Sequence, residues 1–259
     1  DMPDKEFESL EFRNVSFSYK EEETIKDLSF VITKGQTAAL VGHNGAGKTT
    51  IIKLLLRLYD PTAGTIYYNG KDIREYNLKA YRELFATTFQ DFQMFGMTVK
   101  ENVLMGRHYE NEDELVEKAL KKAGVYDKIM TLEGGLDAVM TKEFDEGGVV
   151  LSGGESQKLA VARTFVKDAP MKIFDEPSSA LDPIAEAEIY SKFNDISGDK
   201  TAIYISHRLS SCKFCDEIAV FHEGGVIQQG THDGLLADTT GKYHELWHAQ
   251  AQYYTESPV

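Results

Sequence analysis

The sequence has few cysteines, no long apolar run and a deficit of positive charge, and each shortage excludes something. Only two cysteines occur in 259 residues, Cys212 and Cys215, too few for a disulfide scaffold and compatible with a reducing compartment such as the cytosol. Their C-x-x-C spacing admits a redox pair or half of a zinc site, but no second cysteine pair completes four ligands and no strand-turn-helix pattern surrounds them; ordinary packing is the plain alternative. No run of about 18 to 20 uncharged apolar residues is present, so no segment reads as a membrane-spanning helix, and the first residues lack the basic and apolar regions of a secretory signal. The chain itself is expected to be soluble. Against 42 Asp and Glu stand 28 Lys and Arg, a formal net charge of -14, which opposes wrapping of a phosphate backbone and predicts no nucleic-acid partner.

What is present is enough apolar matter for a core, 42% of the residues, at a length near the upper end for one domain. Polar and acidic residues 1–8 read as a linker, feeding a strand that carries Leu10, Phe12, Val15, Phe17 and Tyr19. Residues 37–41 are small or apolar, 42–47 are rich in glycine, and Ile52, Leu55, Leu56 and Tyr59 then follow at helical spacing: strand, loop, helix. A similar order returns in a helix-like stretch at 156–167, an apolar run at 171–174, a helix-like stretch at 184–193 and a run at 202–205. Such alternation predicts an α/β fold with a mainly parallel sheet covered by helices. Between the halves, Leu115, Ala119 and Leu120 mark an amphipathic helix over 112–123. The expected organisation is a single domain over 1–259, with a core of 9–90 and 151–259 and an inserted helical subdomain at about 91–150. Leu235, Leu236, Tyr243, Leu246 and Trp247 suggest closing helices between 231 and 254.

The segment Gly42-His43-Asn44-Gly45-Ala46-Gly47-Lys48-Thr49 fits the P-loop pattern and falls between a strand and a helix, where that loop works. Small residues let backbone N–H groups turn toward phosphates, and the helix adds its positive end. Lys48 is expected to reach the β- and γ-phosphates and the Thr49 hydroxyl to ligand Mg²⁺. A glycine loop that only turns the chain is the alternative. Asp175 closes the apolar run at 171–174, a strand-end position from which a carboxylate can hold Mg²⁺. Glu176 follows, placed to polarise an attacking water; without the upstream loop, Asp-Glu-Pro would read as a polar turn.

Together with Leu151-Ser152-Gly153-Gly154-Glu155, about a hundred residues after the loop and shortly before Asp175, these motifs resemble the nucleotide-binding domain of ABC proteins over nearly the whole chain. The resemblance implies a P-loop NTPase core with an antiparallel β part near the N-terminus. It implies that Tyr19 stacks on adenine, that residues 42–50 including Thr50 cradle the triphosphate, that Gln90 contacts Mg²⁺, that Ser179-Ala180-Leu181-Asp182 is the D-loop, and that His207 contacts the γ-phosphate. Lys48, Glu176 and His207 then carry catalysis, and Thr49, Gln90 and Asp175 hold the metal. For each there is a plain alternative: a core tyrosine, a polar loop glutamine, a helix-cap aspartate, a satisfied histidine.

In that family the signature residues Ser152, Gly153, Gly154 and Glu155 bind ATP held by the opposite subunit, so a head-to-tail pair of nucleotide-binding domains, identical or not, is implied. Residues 10–19, the set Phe95, Thr98, Glu101 and Asn102, and Gly230-Thr231-His232-Asp233 resemble the exporter branch. There the motor is commonly fused behind six membrane helices and works at the cytoplasmic face of the membrane; the acidic start fits a piece of such a polypeptide. A soluble ABC ATPase acting on nucleic acid or ribosomes is the alternative function, disfavoured by the acidic balance and by the lack of a coiled coil or second cassette. Lys172, Phe174, Glu155 in place of Gln, and residues 141–148 depart from the family pattern.

Overall fold

The computed structural model describes residues 1–141, 148–181, 186 and 200–256. The chain forms two compact units, one comprising Asp1–Phe85, Ala169–Ile173 and Asp199–Val259, the other Ala86–Asp168 and Phe174–Gly198. In chain order the strands are β1 (Ser9–Ser18), β2 (Glu23–Thr33), β3 (Thr37–Gly42), β4 (Ala63–Tyr68), β5 (Lys71–Asp72), β6 (Phe85–Thr88), β7 (Met171–Asp175), β8 (Thr201–Ser206), β9 (Glu217–His222) and β10 (Gly225–Gly230). The helices that matter here are α1 (Lys48–Leu55), α2 (Leu78–Arg82), α3 (Val99–Leu104), α4 (Glu112–Lys122), α5 (Tyr126–Met130) and α6 (Gly153–Val166). Among the described residues no helix is long and apolar enough to cross a membrane.

In the first unit, β1 carries an antiparallel sheet of order β2-β1-β4-β5. Leu10 and Phe12 face Ile32 and Phe30 on one side and Tyr68 and Ile66 on the other, and the Phe12 and Phe30 rings stack 4.5 Å apart. The alternation then skips a residue, so that Val15 and not Asn14 continues the buried face. A bulge lies there: the register shifts between Phe12 and Val15, and Asn14 has φ 48°.

The second sheet has the order β10-β9-β3-β8-β7-β6. β3 is flanked by parallel partners, pairing Thr37 with Ala202 through Val41 with Ser206 on β8, and Ala38 with Glu217 through Gly42 with Phe221 on β9. Every position of β3 is buried, as expected of a central parallel strand covered on both faces. The edge strand β10 returns antiparallel to β9. The fold is therefore the α/β type expected, with the antiparallel sheet near the N-terminus. The far end of α1 is fastened by Arg82, whose Nε and Nη2 donate to the carbonyls of Leu56 and Arg57 at 2.9 and 2.7 Å, and by the Tyr81 hydroxyl, which donates to Leu55 O at 2.9 Å. These donors answer carbonyls that a helix end leaves without an internal partner.

The closing helices are His232–Ala237, capped by the Thr231 hydroxyl, and a C-terminal helix, Lys242–Glu256. Leu235 and Tyr243 are buried, and the Tyr243 hydroxyl bonds His232 Nδ1 at 2.8 Å. Cys212 and Cys215 are both buried and unbridged. Burial pushes the Cys215 thiol well above its ordinary range, the opposite of a reactive thiolate.

The second unit packs α4 and α3 on α6. Val116, Ala119 and Leu120 are the buried face of α4, with Leu115 half-buried beside them. Asn102, fully buried, is the hub of the segment before α3: its amide donates to Phe95, Met97 and Thr98 carbonyls and its oxygen accepts from Phe95 N–H. Arg163 of α6 adds bonds of 2.8 Å to the carbonyls of Asn102 and Gln93. The helix expected at 184–193 lies, apart from Glu186, outside the described residues.

Candidate nucleotide-binding site

β3 ends on Gly42 and α1 begins at Lys48, so the glycine-rich loop hangs from a fully buried strand and feeds directly into a helix. Its backbone can be built only from glycine at two points. A Cβ on Gly42, with φ 148°, would sit 2.3 Å from Phe221 O, and one on Gly47, with φ 96°, would sit 2.5 Å from Ile25 Cδ1. Gly45 also has positive φ, 82°, but open space around it. Gly42→Ala is therefore expected to destabilise the chain by about 2–3 kcal/mol or more, since both backbone clash and conformation oppose it, whereas Gly45→Ala costs about 1–2 kcal/mol from conformation alone. Urea unfolding of the two variants checks the order; equal midpoints would refute it.

No side chain caps the start of α1, which leaves its first N–H groups turned to the loop as a ready anion cradle. Lys48, only 6% exposed, lies across this cradle and donates from Nζ to Gly42 O at 2.8 Å and His43 O at 3.0 Å. Ala46 N–H closes the loop on His43 O at 3.2 Å. Thr49 is half-buried and Thr50 buried in the first turn. A triphosphate fits this arrangement: a loop with glycine at three of its six positions, an uncapped helix start and one buried ammonium.

Beside α1, Tyr19 is 45% exposed yet held on edge by Phe17 and Tyr59, with centroids 4.8 and 5.2 Å away. Its hydroxyl lies 3.3 Å from Thr50 Oγ1 and the Lys53 ammonium lies over its ring, 5.8 Å from the centroid, so a partly exposed aromatic ring is held beside the first turn of α1, of the kind that can stack on a base. After β8, His207 is exposed. Its backbone is bracketed by Gln250 of the C-terminal helix, which donates from Nε2 to His207 O and accepts from Leu209 N–H at 2.9 Å. Gly42, His43, Asn44, His207, Leu246 and Gln250 line a cavity of about 750 Å³. The sequence offers no sign of Gln250, because its partners are main-chain atoms that only the fold delivers.

In the second unit, Gln90 is exposed two residues after the end of β6, ahead of the segment that Asn102 and Arg163 hold. Asp175 is the last residue of β7 and 1% exposed; Glu176 follows, 6% exposed, with a left-handed backbone, φ 51°. Ser152 caps α6: its Oγ accepts from Glu155 N–H at 3.3 Å while Glu155 Oε2 accepts from Ser152 N–H at 2.9 Å, a closed capping box. The Ser152 N–H bond holds the Glu155 carboxyl below the usual range, helped by the Ser152 hydroxyl and Lys128. Glu at the place where the family often has Gln thus serves the helix start. Ser152 and Gly153 stay exposed, while a Cβ on Gly154 would come within 3.2 Å of Ala180 O. Asp182 and residues 142–147 lie outside the described residues.

Taken singly, Thr49 in the first unit carries a hydroxyl, and Gln90 and Asp175 in the second carry an amide oxygen and a carboxylate, each a hard oxygen donor of the kind that suits Mg²⁺. Among the described residues no group of three or more His, Cys, Asp or Glu could hold a metal.

The comparisons with known proteins agree in one direction. The family model described as ABC transporter matches residues 25–179, a span that contains Lys48, Gln90, Ser152, Asp175 and Glu176. The chain is 40% identical over 243 residues to the ATP-dependent lipid A-core flippase of Pectobacterium atrosepticum, covering 93% of this chain and 41% of that protein. It is 40% identical over 246 residues to the mitochondrial iron-sulfur clusters transporter ATM1 of Kluyveromyces lactis, covering 93% and 33%. A solved bacterial Atm1-family ABC exporter with ATP bound superposes with a TM-score of 0.89 at 37% identity, over 96% of this chain and 43% of that one. The chain spans about a third to two fifths of the length of these relatives. It belongs to the ABC transporter family, as a nucleotide-binding domain of the exporter type.

Proposed function

We propose that this chain is the ATP-hydrolysing motor of an exporter, acting on a membrane domain at the cytoplasmic face of the membrane. The observation that carries this reading is the glycine-rich loop of residues 42–47, with the buried Lys48 bonded across it, in a chain whose relatives are transporters. Backbone N–H groups of the loop and Lys48 bind the triphosphate, and Tyr19 orients the base. Thr49, Gln90 and Asp175 are the residues that would hold Mg²⁺, which when bound would supply positive charge against the phosphates. Asp175 and Glu176 come to the same nucleotide by the family pattern they complete. Glu176 accepts a proton from the attacking water as its oxygen bonds to the γ-phosphorus and the bond to the ADP oxygen breaks. His207 donates to the γ-phosphate and holds it in line. Positioning and electrostatics account for most of such a rate enhancement.

Ser152 and Gly154 at the exposed start of α6 bind the γ-phosphate of the partner's ATP, so two ATP molecules join two domains head to tail. Hydrolysis removes that link and lets the pair open. A soluble ATPase acting on nucleic acid or ribosomes is not favoured, because the relatives named above are transporters and the net charge is -14. The solution mass of a Glu176→Gln chain with and without Mg-ATP tests the pairing. Twice the mass of one chain only when Mg-ATP is present is expected, since ligand bound across an interface stabilises it; one chain's mass at saturating ATP would refute pairing of identical chains.

A further inference from the structure

Gln157 lies one turn into α6 and is 1% exposed. Every hydrogen-bonding direction that its carboxamide uses ends on the stretch that starts at Glu176. Nε2 donates to Glu176 O and to Ser179 Oγ, both at 2.9 Å, and Oε1 accepts from Ala180 N–H at 2.7 Å. The stretch also closes on itself, with Ser179 N–H bonded to Glu176 O at 3.2 Å and Leu181 N–H to Ser178 O at 3.0 Å. At its far side the Ser178 hydroxyl donates to Glu186 at 2.6 Å.

Such bonding has a specific consequence at Glu176. A non-glycine residue at φ 51° keeps that conformation only where its surroundings over-determine it. The Glu176 carbonyl accepts two of the bonds just named, one from Ser179 N–H and one from Gln157, so this amide shares in fixing the peptide and with it the direction in which the Cα–Cβ bond points. A buried amide with both donors and its acceptor engaged has one orientation, because any rotation leaves a polar atom without a partner. The same α6 starts with the Ser152 capping box, and Gly154 packs against Ala180 and Leu181. Gln157 thus ties the first turn of α6 to the turn that presents Glu176.

We propose that Gln157 is the positioning residue for Glu176. It fixes the backbone turn from which the carboxylate is presented, and makes that turn follow the helix start that carries Ser152. This rests on the reading of Glu176 as the proton acceptor in ATP hydrolysis. Engagement of Ser152 by the partner's nucleotide then reaches Glu176 through one side chain, linking occupancy of one ATP site to catalysis at the other.

The test is a double-mutant cycle in the 259-residue chain with Gln157→Met, which keeps length and volume but removes the bonds, and Glu176→Gln. Turnover is counted per ATP-binding chain, so loss of folded protein does not enter; Gln157→Glu, which keeps the acceptor and removes both donors, provides a second variant. A misplacement of about 1 Å costs on the order of 100-fold in rate, so Gln157→Met and Gln157→Glu are expected to lower kcat by about 10- to 100-fold with KM and ATP affinity within about twofold. In the Glu176→Gln background Gln157→Met should change residual turnover by less than about twofold, because residues that act as one unit are not additive. Full additivity, or wild-type kcat in both Gln157 variants while Glu176→Gln is inactive, would overturn the role of Gln157 alone. Wild-type turnover in Glu176→Gln would instead overturn the reading of Glu176 on which it rests.

Discussion

Glu176→Gln is expected to lower the ATP turnover of this chain by about 10²- to 10⁴-fold while leaving ATP affinity within about twofold. The substitution keeps the shape and the hydrogen-bonding reach of the side chain and removes its capacity to accept a proton. At a position only 6% exposed, solvent is a poor substitute for the lost base. The backbone at Glu176 is left-handed, φ 51°, and costs free energy in any non-glycine residue, so a residue with no task there would be expected to be glycine or asparagine. Single-turnover phosphate release and nucleotide titration on the same preparation separate the two effects. A fall in affinity that matches the fall in turnover would assign Glu176 to binding and leave the base unidentified.

Lys48→Ala is expected to weaken ATP binding by at least about 100-fold, close to 2.8 kcal/mol at about 1.4 kcal/mol per tenfold. Lys48 is the ammonium inside the cradle, and its Nζ already bonds the Gly42 and His43 carbonyls. Truncation removes a charge-assisted donor to phosphate, each such bond being worth about 1.5–3 kcal/mol, and leaves two loop carbonyls to find other donors. Both losses act on binding, so the effect should appear in the nucleotide dissociation constant and not only in kcat. Affinity within about threefold of wild type would show that the backbone N–H groups alone hold the triphosphate.

The part of the fold that could be read from the sequence is the part where chemistry and periodicity coincide. β3, the loop and α1 are marked together by an apolar run, three glycines and the helical spacing of Ile52, Leu55 and Leu56; β7 is marked by its apolar run and the carboxylates behind it. The start of α6 was less legible. A helix-like stretch from 156 is what the apolar spacing suggests, since Gly153-Gly154 reads as a breaker, yet α6 begins at Gly153 because Ser152 and Glu155 close a capping box. The Ser-x-x-Glu pattern was available as the signal for that earlier start. The hairpin of β9 and β10 was not marked as a pair, because Gly225–Gly230 on β10 is only half-buried or exposed and so carries weak alternation.

Among the proposed site residues, those with a motif of their own were legible and those that serve other residues were not. Lys48, Gln90, Ser152, Asp175, Glu176 and His207 stand in recognisable strings. Gln157 and Gln250 do not, because their partners are mostly carbonyl and amide groups of the main chain, which have no letter in the sequence. The bulge at Asn14, which moves Val15 onto the buried face of β1, is hidden for the same reason.

The measurement that bears most directly on the account is phosphate release by the wild-type chain supplied with Mg-ATP, compared with the Lys48→Ala and Glu176→Gln chains. The account predicts steady release by the wild type that saturates with ATP and falls by about 10²-fold or more in both variants. Release from wild type no faster than from Glu176→Gln, with ATP shown to be bound, would contradict it and leave a chain that binds the nucleotide without using it.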